Sequence, residues 1–365
     1  MSYFVNMICY RLGRIFIRKN HKRHIISNNN ESFDKQNCLS NDSSKDTGSL
    51  SNNLQIDSSA IKLSEDDNEI KDTNSQIRKY SYKTTCNNGL LIGISLQGRA
   101  HIKNGTPCQD YHLVECLADG WILSIVSDGA GSAQEAARGS KANCEISAKL
   151  ISKLLHDKQW VENKYLPTEE EWHIEISNIL SLVKQIIEQQ ANNQNIDSRA
   201  FNATILILLV TPLGMLTAHI GDGRMGYKSQ NGVWHSLMIP HKGEEASQTV
   251  FLPNNWDVTS VPAFQMSGVY IPETHVVKEV PKAYILISDG CEQSMWMCHM
   301  YNDELKKYED KNQPYERFLD PLIADILAQT NDEQQRINRL MYIIDQGTNS
   351  CLREQDDRTI VLGVL

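Results

Sequence analysis

Twice in this chain an apolar run of strand length stops at Ser-Asp-Gly. Residues 121–127, WILSIVS, lead into Asp128-Gly129, and residues 283–288, AYILIS, lead into Asp289-Gly290. Runs this short, bounded by turn residues, fit buried strands rather than helices. One Asp-Gly after a strand is ordinary turn chemistry, since Gly tolerates positive φ and Asp bonds its own backbone. Two more carboxylate steps weaken that explanation. Asp356-Asp357 comes directly before the closing strand RTIVLGVL, and Gln109-Asp110 directly before the strand that starts at Tyr111. Carboxylates therefore sit at four strand termini far apart in sequence, where a sandwich of sheets can gather them at one end.

The elements between them agree with such a sandwich. Residues 90–98, 111–118 and 121–127 read as strands, and two helical stretches follow. The first is expected to start at a capping box, Ser132 with Glu135, and the second at Thr168 with Glu171. The second carries the stripe Trp172, Ile176, Ile179, Val183 and Ile187. Strands return at 203–211 and 214–221, with a hairpin about Asn231-Gly232 expected to close through a two-residue turn. A strand at 283–288, a helix at about 332–345 and the final strand complete the order. Strands and helices come in blocks rather than as alternating βαβ units, which argues for an α+β layered fold.

Residues 31–80 contain 26 Ser, Asn, Asp and Glu side chains among 50, too polar to offset the entropy of ordering. The expected organisation is therefore a basic amphipathic or disordered segment at 1–30, a disordered polar linker at 31–84 and a catalytic domain at 85–365. The first thirty residues carry six basic and no acidic side chains, while the whole chain carries 36 basic against 45 acidic ones, a net charge of −9. The body is thus strongly acidic, which does not suit nucleic-acid binding. The N-terminal segment could lie on an anionic membrane surface, and it is a poor secretory signal because its charges follow its apolar part. No apolar run is long enough to span a bilayer. Nine scattered cysteines, with no CxxC pair and no zinc-like Cys/His spacing, point to a reducing compartment, hence to a cytosolic protein.

Hard divalent cations such as Mg²⁺ and Mn²⁺ take oxygen ligands in octahedral geometry and keep several waters. Two such ions bridged by one carboxylate activate a water and brace a phosphoryl group. The short Asp side chain and an adjoining glycine, which lets a main-chain oxygen approach, are the residue types that such a centre needs.

From about Leu91 to Leu365 the chain resembles the metal-dependent serine/threonine phosphatases of the protein phosphatase 2C family. The resemblance rests on GTPCQD before a strand, SDGAGSA after one, FNATILILL, AHIGDGRMG, ILISDG and the closing DDRTIVL, in the family's order. It implies an α-β-β-α sandwich, four layers with two antiparallel sheets, and phosphoserine or phosphothreonine hydrolysis by a metal-activated water. It further implies that Asp128 bridges two Mn²⁺ or Mg²⁺ ions, that the Gly129 carbonyl ligates one, and that Asp289 and Asp356 complete the other. Asp110 would orient metal-bound water and counts among the candidate metal ligands, with Gln109 and Asp357 supporting the ligands from behind. Thr204 and the Gly221–Arg224 step are expected to pack and turn rather than catalyse.

Departures from the family pattern matter. Gln109 replaces the usual Glu, removing one negative charge. The arginine that grips phosphate in the family has two candidate counterparts here, Arg99 and His101. The His and Cys-Gln-Asp variant resembles a bacterial sub-branch of the family. A third metal, held by Asp197 together with Asp289, is an option. His219, mid-strand, reads as a satisfied buried histidine. His241, Lys242, Glu244 and Glu245 fall where the family places a flap, and Ser294–Met300 reads as a helix face. The partners implied are a phosphorylated protein and a cognate Ser/Thr kinase, and oligomeric state is left open. Two rivals remain. One is a non-catalytic phosphoprotein-binding module of the same fold, which would be expected to have lost an acid. The other is a two-metal nuclease, which needs a basic groove.

Overall fold

The computed structural model describes residues 69–71, 77–84, 89–241, 249–253, 272–329 and 332–365. Of the two compact units in the chain, Met1–Gln55 lies outside these residues, so the expected N-terminal segment does too. The other unit, Ile56–Leu365, is built on two antiparallel sheets.

The first sheet has seven strands. In spatial order they are β1 (Glu69–Lys71), β2 (Ile77–Thr84), β3 (Leu90–Leu96), β14 (Arg358–Val364), β11 (Ala283–Ile287), β8 (Arg224–Lys228) and β9 (Trp234–Ser236). The second has five: β10 (Glu273–Val277), β7 (Gly214–Ile220), β6 (Ile205–Thr211), β5 (Ile122–Ser127) and β4 (Tyr111–Cys116). A small hairpin pairs β12 (Met300–Asn302) with β13 (Lys307–Glu309).

Strand periodicity assigns each side chain to a layer. In β6, Ile205, Ile207 and Leu209 pack against the helices α2 (Ala136–Lys158) and α3 (Glu169–Asn193), while Leu206, Leu208 and Val210 face the other sheet. In β11, Ile285 and Ile287 face the helices α5 (Glu316–Ala328) and α6 (Glu333–Gln346), while Tyr284 and Leu286 face inward. Both faces of the central strands are thus buried, which is why they read as continuous apolar runs. Across the inner layer the Ser124 and Tyr284 hydroxyls meet at 3.0 Å, satisfying two polar atoms that burial would otherwise penalise. The four-layer α+β sandwich expected from the sequence is present.

Some local expectations are corrected. Helix α2 begins at Ala136 without a side-chain cap, and Ser132 does not cap it. The Glu135 amide bonds the Ala200 carbonyl at 2.8 Å and its carboxylate takes Arg138, so neither half of the capping box is available. The Thr168 cap forms, accepting from the Glu171 amide at 3.2 Å, and all five stripe residues of α3 are buried. The β8–β9 hairpin closes through a three-residue loop rather than a two-residue turn. Ser229 and Val233 pair across it, and Gly232 takes the left-handed φ of 86° that such a loop needs. Residues 77–84, assigned by composition to the linker, pair in full register with β3, so the expected linker boundary at 84 is too late. Ser294–Met300 is not one helix face. The short α4 (Glu292–Met295) ends before Trp296, which is extended and buried and bridges Pro314. Among the described residues no helix is long and apolar enough to cross a membrane.

Candidate active site

The strand termini that carry the acids lie at one end of the sandwich. In the five-stranded sheet Tyr111 stands opposite Ser127, which places Asp110 and Asp128 side by side where β4 begins and β5 ends. In the seven-stranded sheet Ile287 pairs with both Ile360 and Arg224, which brings Asp289, the start of β14 and Asp222 together. Ser288 joins the two sheets. Its hydroxyl donates to Asp110 at 2.7 Å and accepts the Thr359 amide at 2.9 Å.

Backbone clamps hold each acid in place. The Asp128 amide donates to the Thr204 hydroxyl at 3.0 Å, and the Thr204 amide returns to the Asp128 carbonyl at 2.8 Å. Asn143, on α2, donates to the carbonyls of Ala203 and Thr204 and to Ser127, fixing that clamp from below. Thr204 therefore positions, as expected; Asn143 was not foreseen, since a lone polar residue inside a helix carries no sequence signal. A side chain at Gly129 would lie 2.6 Å from the Gln109 carbonyl oxygen, so glycine is required by close approach.

The electrostatics are those of crowded like charges. Burial pushes Asp110 well above the usual carboxylate range, and Asp357 adds to the effect. Burial, then Asp110 and Asp289, do the same to Asp128. Burial and Asp222 lift Asp289 to about 7, and it hydrogen-bonds Asp128. Asp356, at the exposed rim, is raised by desolvation and by Asp357. Acids so placed share protons unless a cation neutralises them. The donor set is all oxygen, which fits a hard divalent ion.

Asp222 belongs to this group, although the sequence assigns the Gly221–Arg224 step to turn geometry. Its carboxylate raises both Asp128 and Asp289 and accepts from the Thr249 hydroxyl at 2.9 Å. The only sequence signal was another Asp-Gly, starting rather than ending a strand. Arg224 is fully buried against Glu292, Asp310 and Asn312, as a structural residue.

Arg99 and His101 part company. The Arg99 guanidinium bonds Asp345 at 2.9 Å and the carbonyls of Cys351, Glu354 and Asp345, so it latches the C-terminal helices and is corrected as a phosphate ligand. His101 faces the acids: its ligating nitrogen and the carboxylates of Asp356 and Asp357 lie within 4.8 Å of one another. Its bond to Asp357 raises its pKa. Asp197 is likewise corrected as a candidate third-metal ligand. It caps the 3₁₀ turn Ser198–Phe201 and is engaged by Arg199 at 2.6 Å, which holds its pKa down at about 2. His219 is buried, donates to the Ile239 carbonyl at 3.0 Å and stacks on His241, so it is satisfied as expected. Of the expected flap, Lys242, Glu244 and Glu245 lie outside the described residues.

Residues 97–341 match the sequence pattern of the family described as Protein phosphatase 2C. The chain is 24% identical over 283 residues to serine/threonine-protein phosphatase 3 of Escherichia coli (strain K12), covering 75% of this chain and 97% of that protein. Among solved structures it is similar to the S. agalactiae serine/threonine phosphatase, at 13% identity and TM-score 0.43, covering 79% of this chain and 99% of that one. It is also similar to RsbX in complex with magnesium, at 17% identity and TM-score 0.40, covering 78% and 100%. The chain belongs to the protein phosphatase 2C family and is a metal-dependent protein serine/threonine phosphatase.

Proposed function

We propose that the end-of-sandwich acids form a two-ion Mn²⁺ or Mg²⁺ centre that hydrolyses phosphoserine and phosphothreonine without a covalent intermediate. Asp128 would bridge the ions, with the Gly129 carbonyl, Asp289 and Asp356 as further ligands, and Asp222 within reach of the same face. When bound, the ions supply a nucleophilic water and neutralise developing charge on phosphoryl oxygens. The protein's own groups do the rest. Asp110, locked by Ser288, is placed to orient a water by accepting its proton. His101, held by Asp357, is placed to donate to a phosphate oxygen.

The observation that carries this reading is the convergence of Asp110, Asp128, Asp289 and Asp356 at one end of the sandwich, set by strand register and by the Ser288 bridge. The binding-module alternative expects one of these acids to be lost, and all four are present and convergent. Free cysteines among the described residues support a cytoplasmic location. The test is hydrolysis of p-nitrophenyl phosphate and of a phosphothreonine peptide by the full chain, with Mn²⁺ and with chelator, beside Asp128→Asn. Metal-dependent turnover that the variant loses while staying folded is expected. A folded wild-type protein that hydrolyses neither substrate with any divalent ion would overturn the reading.

A further inference from the structure

Among the described residues the sandwich is open along one side. β9 ends the seven-stranded sheet and β10 the five-stranded one; among the described strands β9 pairs only with β8, and β10 only with β7. Between these edges lies a cleft of about 950 Å³. Its apolar surface includes Leu237, Ile239 and Val276, and its carboxylates are Glu169, Glu170 and Glu273. Ile239 is 55% exposed on this surface.

One end of the cleft approaches the acid cluster. Glu273 stands opposite His219, three residues before Asp222, and its carboxylate accepts the Ile239 amide at 3.0 Å. Asn312, which also lines the cleft, accepts from Arg224, two residues after Asp222, at 2.9 Å. Glu169 and Glu170 stand at the exposed start of α3, beside β10. His275 lies between Glu273, at 2.8 Å, and Glu169, at 3.4 Å. These two carboxylates draw its imidazole toward the charged form, a built-in sign that the cleft favours cations.

We propose that this cleft docks an extended basic segment of the phosphoprotein substrate, laid along the free edge of β10 with Lys or Arg side chains at Glu169 and Glu170. This rests on the phosphatase reading above. Strand addition supplies main-chain hydrogen bonds, the apolar wall takes alternate side chains, and the carboxylates choose positive ones. β10 spans five residues, so a segment of about that length fits, at roughly 3.3 Å per residue. The basic residues would then stand several positions from the phosphorylated one, which sits at the acid cluster.

The test uses the full chain and peptides of one core sequence, carrying either Lys or Ala three to seven positions from the threonine on both sides. Binding of the unphosphorylated peptides is read by fluorescence anisotropy, and turnover of the phosphorylated ones with Mn²⁺ beside p-nitrophenyl phosphate. The Lys peptide is expected to bind about fivefold tighter than the Ala peptide, an advantage that salt weakens and that Glu169→Gln/Glu170→Gln removes. The same factor should appear in KM for the phosphopeptides, with p-nitrophenyl phosphate unchanged. Equal binding of Lys and Ala peptides, or equal binding by wild type and variant, would overturn the cleft assignment even where hydrolysis is normal. An Ile239→Ser variant that converts a dimer to a monomer would overturn it too, since a second copy would then be the occupant. If no substrate is hydrolysed yet the Lys preference appears and depends on the two glutamates, the cleft assignment stands and the phosphatase reading falls.

Discussion

His101 donates through Nδ1 to the buried carboxylate of Asp357 at 2.9 Å, across 256 residues of sequence. The same carboxylate accepts the Gly98 amide at 2.6 Å and the Gln109 amide at 2.5 Å. One side chain at the start of β14 therefore ties down α1 (Arg99–Asn104), the approach to β4 and the imidazole that faces the acids. This arrangement separates two basic residues that sequence leaves equivalent. His101→Ala should lower kcat/KM on a phosphothreonine peptide by about ten- to a hundredfold, the value of one charge-assisted hydrogen bond, with little change in melting. Arg99→Met should do the reverse, costing about 2 kcal/mol of stability in urea unfolding through the lost contacts to Asp345 and three carbonyls. Opposite results for the two variants would reassign the phosphate ligand to Arg99.

The acid cluster makes the metal-free protein sensitive to pH in an unusual direction. Asp289 titrates at about 7 in the fold and near 3.9 when unfolded, so between these values the folded state holds the extra proton. Stability conferred by that proton is complete below the unfolded pKa and is lost as pH rises through about 7. Asp110 and Asp128 shift in the same direction. In chelator, the melting temperature should therefore fall from pH 5.5 to pH 7.5, and Mn²⁺ should raise it more at pH 7.5. Asp128→Asn should raise the chelator melting temperature at pH 7.5 while abolishing most of the metal effect. The buried His219 and His241, shifted down by desolvation (His241 to about 3), pull the other way and destabilise the fold below about 6.5. A metal-induced shift independent of pH would contradict the proton accounting.

The sequence made the central sandwich readable because strands buried on both faces must be apolar throughout, and those at 122–127, 205–211 and 283–287 are. It showed four acids at strand ends for the same reason, since a carboxylate beside such a run stands out. Elements whose placement depends on tertiary partners were harder to see. The β2 strand, IRKYSYKT, borders a polar segment and takes its order from the β3 ladder, which composition cannot report. Ser132 and Glu135 match a cap pattern, but the Ala200 carbonyl reaches Glu135 first. Asp197 and Asp222 look alike in sequence; an arginine two residues on neutralises one, while strand pairing carries the other into the cluster. Arg99 and His101 lie two positions apart on a helix, so they point in different directions.

Asp222 supplies a sharper test of the geometry. Its carboxylate raises Asp128 and Asp289 by proximity, so neutralising it removes negative charge from the same face without touching the bridging position. Asp222→Asn should raise the Mn²⁺ concentration for half-maximal activity several-fold and leave a measurable kcat at saturating metal. Asp289→Asn should cost far more, on the order of a thousandfold in kcat, the loss expected when a group that fixes transition-state charge is removed. Equal metal requirements for Asp222→Asn and wild type would place Asp222 outside the metal-binding set.

Glycines near the site acids are not equivalent. A Cβ at Gly290 would lie 2.0 Å from the main-chain oxygen of Asp357, an atom that cannot move without shifting the start of β14. The interlock sets Asp289 against Asp356, so even one methyl should separate the acids. At Gly131 a Cβ meets nothing within 4 Å. Gly290→Ala should therefore lose at least a hundredfold in kcat/KM and about 1–3 kcal/mol of stability, the usual range for overpacking. Gly131→Ala should stay within about twofold of wild-type activity and be neutral or slightly more stable, because it only restricts the unfolded chain. Parallel kinetics and thermal melts of the two variants check this. Comparable losses at both positions would mean that backbone freedom, rather than the approach of Gly290 to Asp357, is what these glycines supply.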